Sequence, residues 1–166
     1  RVGMNLFGGE IEEEIEELSG KRVIGSVERI KLIGKDGKEI EVEAKIDTGA
    51  DSTAIDTELA KQLGFEELIA YFKDLELPVI NSREEGGNQH DALLEKYNKS
   101  HPDLADITII YAPNGISIRP KIKLTIIMDT LEISVKASII DRSSLQYPVI
   151  VGRKSLGRFL IDVSKK

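Results

Sequence analysis

The stretch Glu39-Ile40-Glu41-Val42-Glu43-Ala44-Lys45-Ile46 alternates polar and apolar residues without a break and runs straight into Asp47-Thr48-Gly49. A period of two is the signature of a strand with one buried face. Here that strand ends on a carboxylate, followed by a hydroxyl and by a glycine, which enters turn conformations closed to other residues. Apolar residues return at Ala54-Ile55. The chain is therefore built around an aspartate held in a tight, backbone-lined loop.

The flanking segments give this loop a β setting. Val23 to Leu32 alternates loosely, and Gly34-Lys35-Asp36-Gly37 reads as the turn of a hairpin whose second strand delivers Asp47. After the loop, Asp56 is a good N-cap, Leu59, Ala60 and Leu63 supply an apolar face, and Gly64 reads as a C-terminal stop, so Thr57 to Leu63 is expected to be a short helix. Toward the C-terminus, Ile107–Tyr111 and Ile116–Ile118 flank Ala112-Pro113-Asn114-Gly115, with Asn114-Gly115 as the hairpin signal. Lys121–Met128 and Leu131–Ile140 form a second expected hairpin turning near Asp129-Thr130, and Tyr147 to Arg153 reads as a buried strand ending in Gly152. A short helical turn and a last strand at Phe159–Val163 complete an all-β reading with short helices.

Two regions resist this scheme. Glu10–Leu18 places Ile11, Ile15 and Leu18 on one stripe of an acidic helix, bracketed by Gly8, Gly9 and Gly20, so residues 1–20 read as a helical arm. Residues 21–166 form the main domain, with an insertion at about 66–106 that carries a charged turn-rich piece at Asn81–Gly87, a helix from about Asp91 to Lys99, and both histidines, His90 and His101.

The chain has 166 residues, enough for one domain with a sizeable core. It has 23 Lys plus Arg against 29 Asp plus Glu, and the net charge of −6 argues against a nucleic-acid binder or a polybasic membrane anchor. There is no cysteine, so disulfides, thiolate metal sites and a Cys nucleophile are excluded. No apolar run approaches the roughly 18 residues of a transmembrane helix. A cytoplasmic protein is the default expectation, and the start at Arg1 suits a fragment or a processed form.

Ile46-Asp47-Thr48-Gly49-Ala50-Asp51 and, later, Val149-Ile150-Val151-Gly152-Arg153 resemble the two signature segments of retropepsin-like aspartic proteases. Arg119-Pro120, Ile140-Asp141-Arg142-Ser143 and Gly157 to Val163 are similar to a subgroup labelled ATP-dependent zinc proteases. The resemblance spans roughly Arg22–Phe65 and Ile107–Val163. It implies a closed-barrel acid-protease lobe, one per chain, paired about a two-fold axis.

Peptide hydrolysis by carboxylates needs two of them around one water, sharing a proton because like charges that close do not both ionise. This chain carries one Asp-Thr-Gly; Asp129-Thr130-Leu131 lacks the glycine. The second carboxylate is therefore expected from Asp47 of another copy, making the homodimer the catalytic unit. The resemblance implies that Asp47, Thr48 and Gly49 are catalytic, with Thr48 bonding across the axis and the Gly49 N–H orienting the carboxylate. It further implies that Asp51 pairs with Arg153 after Gly152. Ala50, Asp51 and Ser52, with the flap residues Asn114, Gly115 and Ile116, would meet an extended peptide, although Pro113 stiffens the flap.

The zinc and ATP of the subgroup label find no motif. There is no His-Glu-x-x-His and no phosphate-binding Gly-x-x-x-x-Gly-Lys loop, so no metal and no cofactor is expected. His90 with Asp91, and His101 with Asp103, are the residues from which a metal site would have to be assembled; solvated loop histidines are the simpler reading. The competing function is a non-catalytic module of the same fold that binds a peptide or protein. In a third reading, the arm and the insertion are docking surfaces that restrict access to an intact site.

Overall fold

The structure, a computed structural model, describes residues 17–165. It is mostly β-sheet with a few short helices. The expected arm helix lies outside the described residues except for Glu17–Leu18, which form a short strand (β1) antiparallel to β2 (Lys21–Ile24). The expected Val23–Leu32 strand is divided, because the chain breaks at Gly25-Ser26 between β2 and β3 (Val27–Ile33). Gly25 leaves no room for a side chain there, since an added Cβ would press on the Lys165 main chain.

Antiparallel pairing of β3 with β4 (Glu39–Ile46) makes the anticipated hairpin, and the alternation of β4 is realised with Ala44 and Ile46 buried and the glutamates exposed. After the aspartate loop come β5 (Thr53–Asp56) and α1 (Thr57–Ala60), the latter capped as expected by the Asp56 carboxylate accepting from the Glu58 N–H at 3.2 Å. Gly64 takes a positive φ of 99°, as a helix stop does. The chain nevertheless re-enters a helix at once, α2 (Glu66–Lys73), because Leu63, Phe65, Leu68 and Phe72 together fill one side of the core.

The insertion also departs from expectation. A single helix, α3 (Arg83–Tyr97), replaces the turn-rich Asn81–Gly87 piece and the later helix start at Asp91. Ser82 caps it, accepting from the Glu85 N–H at 3.1 Å, while the Glu85 carboxylate reaches back to the Asn81 N–H at 2.7 Å. These two bonds outweigh the poor helix propensity of Gly86 and Gly87.

Next come β6 (Asp106–Ala112) and β7 (Gly115–Met128). Ala112 pairs with Gly115, so the hairpin turns on Pro113-Asn114, one residue before the expected Asn114-Gly115 centre. Proline has the fixed negative φ suited to the first central position of a common turn, which settles the frame. The β7–β8 (Leu131–Ile140) hairpin turns at Asp129-Thr130 as expected, both with positive φ (49° and 63°), and Arg22 braces this strained turn by donating to the Asp129 carbonyl at 2.6 Å and to Thr130 Oγ1 at 2.8 Å. Finally, β9 (Val149–Val151) and β10 (Phe159–Ile161) follow.

The large sheet runs β3-β4-β9-β5-β8-β7-β6, and β3 pairs additionally with β7 at Lys31–Ile127, Leu32–Ile126 and Ile33–Thr125. Strand pairing thus returns to the strand where it began, around a core of Ile30, Leu32, Ile55, Ile122, Ile126 and Val149. The critical crossing is at β9, which pairs in parallel with β4 and antiparallel with β5, so the Asp47 loop, running from β4 to β5, passes over the end of a strand distant in sequence.

Candidate active site

The aspartate loop is fixed at both ends by main-chain bonds. The Asp47 N–H donates to the Val151 carbonyl at 3.0 Å, continuing the β4–β9 ladder by one residue. The Ala50 N–H closes the turn on the Asp47 carbonyl at 3.2 Å, and the Arg153 and Lys154 N–H groups donate to the Ala50 and Asp51 carbonyls at 2.8 and 3.0 Å. Six residues of loop are thereby stitched to the segment after β9 without any side chain taking part.

Gly152 is required by this closeness. A Cβ there would stand 2.7 Å from the Ser52 nitrogen, against main chain that has no freedom to yield. Thr53, 1% exposed, fills the space beside it, its Oγ1 accepting from the Gly152 N–H at 3.3 Å and sharing a hydrogen bond of 3.2 Å with Ser155 Oγ. Thr53 was not singled out from the sequence; the signal available was a hydroxyl residue directly before the apolar pair Ala54-Ile55.

Within the loop, the Gly49 N–H donates to Asp47 Oδ1 at 2.9 Å, the orienting bond anticipated for that residue and also the bond of an ordinary Asx turn. Asp47 is half-buried, whereas Thr48 and Gly49 are exposed. Asp51 and Arg153 are brought together through Oδ1 and Nη2, a single contact rather than a two-pronged one, with both side chains largely in solvent.

Beside the loop lies a cleft of about 450 Å³. One wall is Gly49 to Ser52 and the other is Thr108 to Tyr111 of β6. Asn114, Gly115 and Ile116 sit at the turn end of the β6–β7 hairpin and do not line the cleft; the strand behind the turn does. Asp47 reaches the cleft wall only through Gly49.

Two arginines also line it, Arg83 from α3 and Arg142 from the segment after β8. Arg83 stands over the Tyr111 ring, its guanidinium carbon 4.5 Å from the centroid. Tyr111 in turn lies on Gly86, where a Cβ would overlap its hydroxyl. The glycine that weakens α3 therefore lets the helix approach β6. Burial draws the Arg142 guanidinium below its ordinary value, with the charges of Asp56 and Asp47 acting the other way. Sequence reasoning assigned no role to Arg83, and gave the insertion only that of a docking surface restricting access, not of a lining element.

Both histidines are engaged elsewhere. His90 shares a 2.8 Å hydrogen bond with the Ile107 carbonyl, tying α3 to β6; His101 Nδ1 accepts from the Asp103 N–H at 3.1 Å and its ring lies 5.1 Å from that of Tyr71. The Asp103 carboxylate bonds Lys35 at 3.0 Å. Among the described residues no three His, Asp or Glu side chains gather as a metal site, and no helix is long and apolar enough to cross a membrane.

No protein-family model matches the sequence, and no curated protein matches it. Among solved structures, a protein of unknown function (DUF785) from Legionella pneumophila is similar over 86% of this chain and 93% of its own, at 16% identity and a TM-score of 0.47.

Proposed function

We propose that this chain is one lobe of a retropepsin-like aspartic endopeptidase, active as a homodimer whose two Asp47 carboxylates share one water and one proton. The observation that carries this reading is the holding of Asp47. Its main chain is bonded to Val151, its carboxylate to the Gly49 N–H, and its loop forms one wall of a cleft facing the extended strand β6. The return of strand pairing to β3 supports the closed-barrel lobe that the resemblance implies.

In this mechanism one Asp47 carboxylate takes a proton from the water as it attacks the scissile carbonyl. The other, protonated, donates to the carbonyl oxygen, and the gem-diol then collapses with proton transfer to the leaving nitrogen. The apparent pKa values belong to the pair. Thr48, exposed in the loop, would bond its counterpart across the two-fold axis and lock the two loops. A peptide pairs along the cleft in strand fashion against β6, and the β6–β7 hairpin serves as flap.

A second reading, a peptide-binding module without turnover, is favoured by one observation: in the single chain the cleft is lined by Gly49 to Ser52 and not by Asp47 itself. Asp47→Asn separates the two. The substitution is expected to abolish cleavage of a peptide library between mildly acidic and neutral pH while leaving the sedimentation mass of a dimer and peptide binding intact. A wild-type protein that cleaves nothing, or a mutant that cleaves equally well, eliminates the protease; a monomer that still cuts through Asp47 eliminates the shared site.

A further inference from the structure

Arg142 is the one strongly buried charge in the cleft, and the hydrolytic scheme leaves it unused. It is 7% exposed and lines the cavity. Its Nε donates to the Tyr147 carbonyl at 3.0 Å, and its main-chain N–H donates to Asp56 Oδ1 at 2.8 Å. Its two Nη nitrogens make no hydrogen bond or ion pair among the described residues, and neither is sealed in the interior. The guanidinium thus keeps an open edge on a residue that lines the cleft.

A largely buried guanidinium with two of its nitrogens unfilled favours a charged acceptor over a neutral carbonyl. The carboxylates nearby act on Arg142 through their charge but do not bond its Nη edge. Asp51 is taken by Arg153, Asp56 is occupied by the N–H groups of Arg142 and Glu58, and Asp47 forms no ion pair with Arg142. A second cation, Arg83, stands on the same cleft, held over Tyr111. Two guanidiniums from elements far apart in sequence thus converge on one cavity beside the aspartate loop.

We propose that this cleft recognises a substrate carboxylate, seated on the Nη edge of Arg142 with Arg83 supplying further positive charge. The planar fork of arginine matches a carboxylate with paired hydrogen bonds, which a lysine does not reproduce. The substrate class is a peptide bearing that carboxylate, either on an Asp or Glu side chain or as a free C-terminus. This specificity rests on the peptide-cleft reading above but does not require turnover.

The test measures binding as well as cleavage. Short unlabelled peptides of alanine with one central Glu or Gln, each with a free or an amidated C-terminus, are titrated calorimetrically into wild-type and Asp47→Asn protein, and their cleavage by wild type is followed chromatographically. Expected is at least about tenfold tighter binding of a carboxylate-bearing peptide than of its neutral isostere. If the Glu/Gln pair carries the difference, the source is a side chain; if the acid/amide pair does, it is the terminus. Arg142→Lys gives up the Nε bond to Tyr147 and some stability with it, but the folded variant should shrink that ratio, as should the exposed Arg83→Gln at unchanged thermal midpoint; loss of a merely structural arginine would weaken acid and isostere alike. Should Arg142→Lys fail to fold, the wild-type ratios and Arg83→Gln decide. Preferential binding without cleavage would sink the protease and keep the site; cleavage or binding indifferent to the carboxylate, or no binding of any peptide, overturns the proposal.

Discussion

The Val151 carbonyl accepts the Asp47 N–H at 3.0 Å, across an interval of the chain that contains most of the fold. Through this bond the position of the aspartate is set by β9, so the geometry of the loop depends on whatever lets the segment after Val151 approach Ser52.

Gly152→Ala should therefore be among the most damaging small substitutions. The new methyl group would press on the main-chain O, C and N of Ser52, the last 2.7 Å away, where no rotamer change relieves it. Overpacking of this kind costs roughly 3 kcal/mol. Urea denaturation should show a midpoint loss of that size with little change in slope, and a loss well under about 1 kcal/mol would mean that the crossing is looser than described.

Arg153→Ala is expected to behave quite differently. Asp51 and Arg153 are 71% and 61% exposed in their side chains, and the main-chain bonds from Arg153 and Lys154 to Ala50 and Asp51 survive the substitution. An exposed pair of this type contributes at most about 1 kcal/mol, less in high salt. Thermal melts of wild type and variant should differ slightly at low ionic strength and converge as salt is added. A large, salt-insensitive loss would show that the pair holds the loop together rather than trimming it.

Lys121 provides a pH test. It sits on β7 opposite Asp106, half-buried, and burial holds its ammonium below the ordinary lysine value; Asp106 pulls the other way, while Lys154 and Lys136 add to the depression. The folded protein then loses this proton at lower pH than the unfolded chain does. Between the folded value and about 10.4, the unfolded state binds more protons, so this group makes stability rise with pH. Lys121→Gln should remove that contribution and flatten the alkaline arm relative to wild type in denaturant titrations. Parallel curves for the two proteins would refute the assignment.

Local chemistry in the sequence was enough to locate several parts of the molecule. The alternation of Glu39–Ile46 gave β4 with its buried face, and Asp56 its cap. The β7–β8 turn at Asp129-Thr130 was legible too, because each of these signals acts within a few residues of itself. Where two local signals competed, the weaker was easily chosen. Asn114-Gly115 suggested the hairpin centre, but the fixed φ of Pro113 moved it one residue earlier. Gly64 and Gly86 both read as interruptions, yet α2 begins directly after the first and α3 runs through the second, because burial of Phe65, Leu68 and Phe72 and the approach to Tyr111 outweighed propensity.

What determined the site divides in the same way. By itself the sequence placed a carboxylate at the end of a strand in a turn that a glycine permits, and the Gly49 N–H bond to Asp47 follows from that turn alone. Only the tertiary structure set Val151 and Gly152 behind the loop, put Tyr111 rather than Asn114 on the facing wall, and brought Arg83 and Arg142 into one cleft. The physical reason is sequence separation. Turn chemistry is paid within the turn, whereas the convergence of β4, β6, β9 and α3 is decided by which apolar faces bury together, and no single segment contains that information.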